Sequence, residues 1–160
     1  MFLADWQRVY PEATTWGVPA LRRRAQVLRS GVRIDADLGD EPPAAWGEEI
    51  EQGLVRGGGG FEEAWFFHKP SRTLLLADLV ENLRPDKLPP LTAMMMRATV
   101  ATRATTGLHV RAALRLGGKG ARSAIQAMIA TEPERVVFSH GDFFAGQAAE
   151  QLRRAFAWIV

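Results

Sequence analysis

The stretch that most constrains the fold of this chain is residues 62–83, where two apolar runs, 64–67 and 73–77, flank a polar link at 68–72. Runs of this length bounded by turn-forming residues predict two buried strands joined as a hairpin. The second run ends on Asp78. The same pattern returns late in the chain, where Arg135-Val-Val-Phe-Ser leads into His140 and then Asp142. Open α/β sheets place their sites at the carboxyl ends of strands, which is where both ionisable residues stand. If the two strands are parallel neighbours, Asp78 and His140 converge across one inter-strand spacing, ~5 Å. Carboxylate and imidazole suit zinc, iron or manganese, and equally suit a base with its orienting partner.

Structural roles compete for both residues. Asp78 stands three residues before Glu81, the spacing of a capping box that starts a helix. His140, followed by Gly141, equally fits a histidine that bonds a loop carbonyl. His68 is excluded by geometry. It lies at the hairpin turn, beside the start of the second strand, and Asp78 is roughly 20 Å beyond that turn at ~3.3 Å per residue. The same reasoning brings residues 57–61 to the Asp78 side, and there the chain offers four consecutive glycines. They read as a flexible loop: a phosphate cradle would end in Lys-Ser or Lys-Thr and open a helix, whereas Phe61-Glu-Glu opens a strand. His109 has no motif around it and reads as a surface or loop histidine.

The rest of the chain supplies alternating helices and strands. Phe2, Leu3, Trp6, Val9 and Tyr10 predict a helix over 2–10 with one apolar face. A short β-rich run at 14–18 precedes a helix at 19–28 opened by Pro19. Alternation predicts a half-exposed strand at 32–38 and a weaker one at 50–56. A helix over 91–105 carries Met94, Met95 and Met96, which predict core filling on more than one side. Residues 107–120 read as irregular and basic, with Gly118-Lys-Gly a weak phosphate-like fragment. A helix at 119–130, a strand at 135–139 and an amphipathic helix at 145–159 close the chain. Such a mixture predicts one α/β layered domain, and 160 residues can bury a real core.

Composition excludes several classes. There is no cysteine, so disulfides, thiolate metal sites and cysteine nucleophiles are out. A net charge of +2 is too small to argue for nucleic acid, and the cluster Arg22, Arg23, Arg24 reads as a solvated helix face. No apolar segment reaches the length of a membrane span and no leader opens the chain, so a cytoplasmic protein without membrane contact is expected.

Three strings carry a resemblance: Phe66-Phe-His-Lys-Pro-Ser-Arg-Thr-Leu-Leu-Leu-Ala-Asp78-Leu-Val-Glu-Asn, Leu38-Gly-Asp-Glu-Pro, and Arg135-Val-Val-Phe-Ser-His140-Gly. They resemble the DUF4336 family, uncharacterised proteins related to the metallo-β-lactamase fold. The resemblance extends over most of the chain. It implies an αββα sandwich with a mixed sheet, flanking helices and a metal site at one edge of two facing sheets. In that superfamily a strand-ending aspartate bridges two metal ions and a late strand-ending histidine binds one of them, the positions Asp78 and His140 match. Glu81 and Asp142 are the nearest spare carboxylates and weaker candidate ligands. The principal histidine-rich metal motif of the superfamily lies in an amino-terminal part that this chain is expected to lack. Another superfamily histidine would fall near the glycines at 57–60. The resemblance therefore implies a truncated sandwich, inactive as it stands, that binds zinc or another divalent metal weakly if at all. Two alternatives stand beside it. One is a metal-dependent hydrolase completed by another chain or by an upstream segment. The other is an interaction module, a homo-oligomer pairing through an open sheet edge. No substrate is readable.

Overall fold

Period-two alternation builds the centre of the molecule. In the computed structural model, which describes residues 2–160, the elements run α1 (Phe2–Val9), β1 (Trp16–Gly17), α2 (Ala25–Ser30), β2 (Ala36–Asp37), β3 (Ile50–Arg56), β4 (Glu62–His68), β5 (Thr73–Leu75), β6 (Glu81–Asn82), α3 (Pro90–Ala98), α4 (Leu108–Ala130), β7 (Arg135–Val137), β8 (His140–Gly141), β9 (Phe144–Ala145) and α5 (Ala148–Phe156). The main sheet has the order β3-β4-β5-β7-β9; β5 and β7 are parallel and the other neighbours antiparallel. It is the mixed sheet expected. The predicted hairpin is β4–β5.

Register explains the core. Phe67, Leu74, Val136 and Phe144 lie opposite one another across four strands, all buried on one face. Val110, Leu114, Ile125 and Met128 of α4, with Leu152 and Phe156 of α5, cover that face. Trp65 joins it by lying over Gly53, its register partner on β3; a Cβ there would fall 2.7 Å from the indole. On the opposite face the next row runs Gln52, Phe66, Leu75, Val137. Only its β3 end is covered, by residues 16–47. Trp46 Nε1 donates to Gln52 Oε1 at 3.1 Å, and Gln52 Nε2 donates to the carbonyls of Gly39 and Glu41. Those residues carry a two-stranded parallel sheet, β1–β2.

Several local expectations change. The helix at 19–28 divides into a 3-10 turn, Pro19–Arg23, and α2, because Arg24 is extended. The strand at 32–38 shortens to β2, and the helix at 91–105 ends at Ala98. Met94 and Met95 are exposed rather than core filling, since α3 buries only Ala93. Residues 107–120 are not irregular. The apolar stripe Val110, Leu114, Ala121, Ile125 extends α4 across them, and the helix merely kinks at Gly118 (φ 58°, ψ −135°). The glycines at 57–60, read as a flexible loop, make a tight turn at Gly58–Gly60 with Gly59 at φ 66°. Gly57 presses on the backbone of Ala113, and a Cβ there would sit 2.8 Å from it. α1 forms as expected, yet none of its residues is buried.

Candidate functional site

β5 and β7 run parallel with Thr73 opposite Arg135, so the chains leave the sheet side by side. The ladder continues past the strand ends: Leu76 N donates to Val137 O at 2.8 Å, and Ser139 N to Ala77 O at 3.3 Å. Beyond it β6 and β8 pair in parallel, with Glu81 opposite His140. This arrangement brings the two strand-end residues together. His140 Nε2 lies 3.0 Å from Asp78 Oδ1, which assigns the Nε2 proton to this bond. Side-chain exposures of 57% for Asp78 and 47% for His140 leave the pair largely in water, where such a contact contributes little to stability.

What holds Asp78 in place is a residue that sequence reasoning missed. Glu63 is 7% exposed and faces the core with Trp65 and Phe67 on the same side of β4. Its carboxylate accepts the backbone N–H groups of Ala77 at 2.8 Å, Asp78 at 2.9 Å and Leu79 at 3.3 Å. A buried carboxylate is costly unless hydrogen-bonded, and three amides supply that compensation. Burial pushes the Glu63 carboxyl above the usual glutamate range, the three amides oppose the shift, and the nearby Asp78 charge adds to it. The signal was parity: Glu63 shares the inward alternation of Trp65 and Phe67.

The other candidates are distributed around the pair. Asp78–Leu79 form a bend with no helix after them, so Asp78 caps nothing and the capping-box spacing to Glu81 has no structural use. Glu81 is fixed by backbone bonds to Thr105, and its carboxylate lies against Gly107 beside the His109 ring. Asp142 turns toward Arg84, whose Nε is 3.9 Å from its carboxylate. His109 is exposed in the first turn of α4. His68 sits at the far end of the hairpin, as expected, with Nδ1 2.7 Å from Ser71 Oγ. Among the described residues no three His, Asp or Glu side chains converge in a way that would hold a metal ion. A metal-dependent hydrolytic centre needs several fixed ligands and a positioned water. Two exposed donors, already bonded to each other, do not fit that requirement.

No family model matches the sequence, and no curated protein matches it. Among solved structures, the chain is similar to the crystal structure of DIM-1 metallo-β-lactamase exposed to ceftazidime, at a TM-score of 0.54 and 13% identity. The alignment covers 99% of this chain and 62% of that one, so the chain spans less than two thirds of that structure. Identity this low speaks to architecture alone. Among the described residues no helix is long and apolar enough to cross a membrane. With its mixed sheet and flanking helices, the chain has a metallo-β-lactamase-like α/β fold.

Proposed function

We propose that this chain is a metallo-β-lactamase-like protein of the DUF4336 type that has no hydrolytic activity on its own. One observation carries the proposal: Asp78 and His140 meet at the ends of parallel strands, but among the described residues no third ligand joins them. Zinc or another divalent ion has at most a weak, hydrated site there, because two donors leave most of its coordination to water. The resemblance in residues 66–82 and 135–141 supports the family assignment. The test is turnover of a broad esterase and phosphodiesterase panel by the purified chain in added zinc, with Asp78→Ala as the control. The proposal expects no difference between the two proteins. Turnover that Asp78→Ala abolishes overturns it.

A specific observation favours a second reading, a site completed by another chain. The sheet face away from α4 is apolar and open next to the candidate site. Leu75 is 40% exposed, Val137 37% and Phe143 56%, with Phe66 in the same row. A partner sheet, whether a second copy or a different protein, would cover this face and bring ligands to Asp78 and His140. This face adds a second surface to the open sheet edge expected from the sequence, where β3 and β9 end the five-stranded sheet. Under this reading the chain assembles in solution and gains zinc affinity with its partner. A monomer that stays free of zinc at high metal with every partner tried contradicts it.

A further inference from the structure

We propose that the basic face of α4 and the indole of Trp158 form a binding site for a small phosphate-bearing anion, separate from the Asp78–His140 pair. The longest helix of the chain, 23 residues, carries Arg111, Arg115, Lys119 and Arg122 and no carboxylate at all. Spacings of four and three residues put Arg111 with Arg115 on one face before the kink at Gly118, and Lys119 with Arg122 on one face after it. All four gather around one side chain. Arg111 and Arg115 lie over the Trp158 ring, 4.9 and 5.6 Å from its centroid. Arg115, Lys119 and Arg122 line one cavity of about 360 Å³ together with Trp158 and Ile159.

Elsewhere on the surface, arginines such as Arg22, Arg33, Arg56, Arg84 and Arg153 lie against carboxylates. Among the described residues none of the four cations of α4 has such a partner. Like charges at this spacing repel. Burial, and after it the charge of Arg115 beside it, hold Arg111 below the usual arginine range. Two of the four already have neutral partners. Arg111 donates to Thr106 O and Thr105 Oγ1, and Arg122 to Ile159 O. Among the described residues Arg115 and Lys119 have no hydrogen-bond acceptor, and both line the cavity.

A guanidinium fork and an ammonium facing one open cavity are the donor set for an oxyanion with several oxygens. The phosphate is the recognised part, whether free or on a lipid headgroup. Gly118 breaks α4 between Arg115 and Lys119, yet both side chains reach the same cavity. The cavity is lined by the middle of α4 and by Trp158 and Ile159, and Asp78, Glu81 and His140 are not among its lining residues. It therefore shares no residue with the strand-end pair.

The experiment is calorimetric titration of the full chain with inorganic pyrophosphate, against sodium chloride of equal ionic strength. Two double variants accompany it, Arg115→Gln/Lys119→Gln and, as a charge control, Arg23→Gln/Arg24→Gln; all four side chains are exposed, and circular dichroism checks the folds. The site predicts saturable binding that the first pair weakens by at least about tenfold, one charge-assisted contact or more. The control pair leaves it unchanged. A second arm uses phosphatidylcholine vesicles doped with phosphatidic acid. Binding to vesicles that pyrophosphate displaces supports the site with either source as its ligand. Heat no greater than the chloride control, or equal loss in both double variants, overturns the proposal. So does binding confined to duplex DNA that pyrophosphate does not compete.

Discussion

Asp78 is placed by Glu63, and that dependence has a pH signature. The Glu63 carboxyl is raised above the ordinary glutamate value of 4.5, mainly by burial. A raised carboxyl binds its proton more tightly in the folded chain than in the unfolded one. The contribution of Glu63 to stability is therefore fully present below 4.5 and is lost as pH rises through the folded-state value, with a slope of up to about 1.4 kcal/mol per pH unit within that window. Glu63→Gln removes this slope, which urea melts between pH 4.5 and neutrality check. The exposed pair behaves differently. Asp78→Ala and His140→Ala each change stability by no more than about 0.5 kcal/mol, measured by the same melts. Asp78 and His140 were legible in the sequence because each ends an apolar strand. Glu63 was not, because a carboxylate at a strand start looks like a solvated flank. Only its shared parity with Trp65 and Phe67 marks it as inward.

At the level of elements, glycine misled most. Gly117 and Gly118 suggested an irregular segment, but the apolar stripe of α4 runs through them and the chain only kinks. Local breakers are outweighed when a buried face continues on both sides. The hairpin and its neighbour strands were legible for the converse reason: alternation and turn residues agreed there. β2 and α3 came out shorter than their patterns, since neither has a long apolar face to bury. Two glycines give contrasting predictions. Gly53→Ala drives a methyl into the Trp65 indole, 2.7 Å away, and costs about 1–3 kcal/mol. Trp65→Leu in the same chain recovers part of that loss, a coupling a double-mutant cycle detects. Gly118→Ala meets nothing within 4 Å, so its cost of about 1–3 kcal/mol comes only from the backbone at φ 58°. Thermal melts should show that loss unrelieved by any neighbouring truncation.

On the scale of the whole molecule, α4 and α5 cover one face of the sheet, while residues 16–47 cover the other along β3 and at Glu62 where β4 starts. The row Phe66, Leu75, Val137 is left partly in water beside the candidate site. The resemblance implied two facing sheets; beside the five-stranded sheet the described residues form two two-stranded ones, β1–β2 and β6–β8. No sequence pattern marks what an apolar face packs against, because alternation reports burial and not the partner. If another chain packs there, Leu75→Lys disperses the assembly in light scattering and leaves chain stability within about 0.5 kcal/mol. The central proposal, however, is that Asp78 and His140 are two candidate ligands without a complete metal centre among the described residues. Equilibrium dialysis of the purified chain against zinc, read by elemental analysis beside Asp78→Ala, tests it most directly. The account predicts sub-stoichiometric zinc that washes out readily. One tightly held zinc per chain, lost in Asp78→Ala, would contradict it.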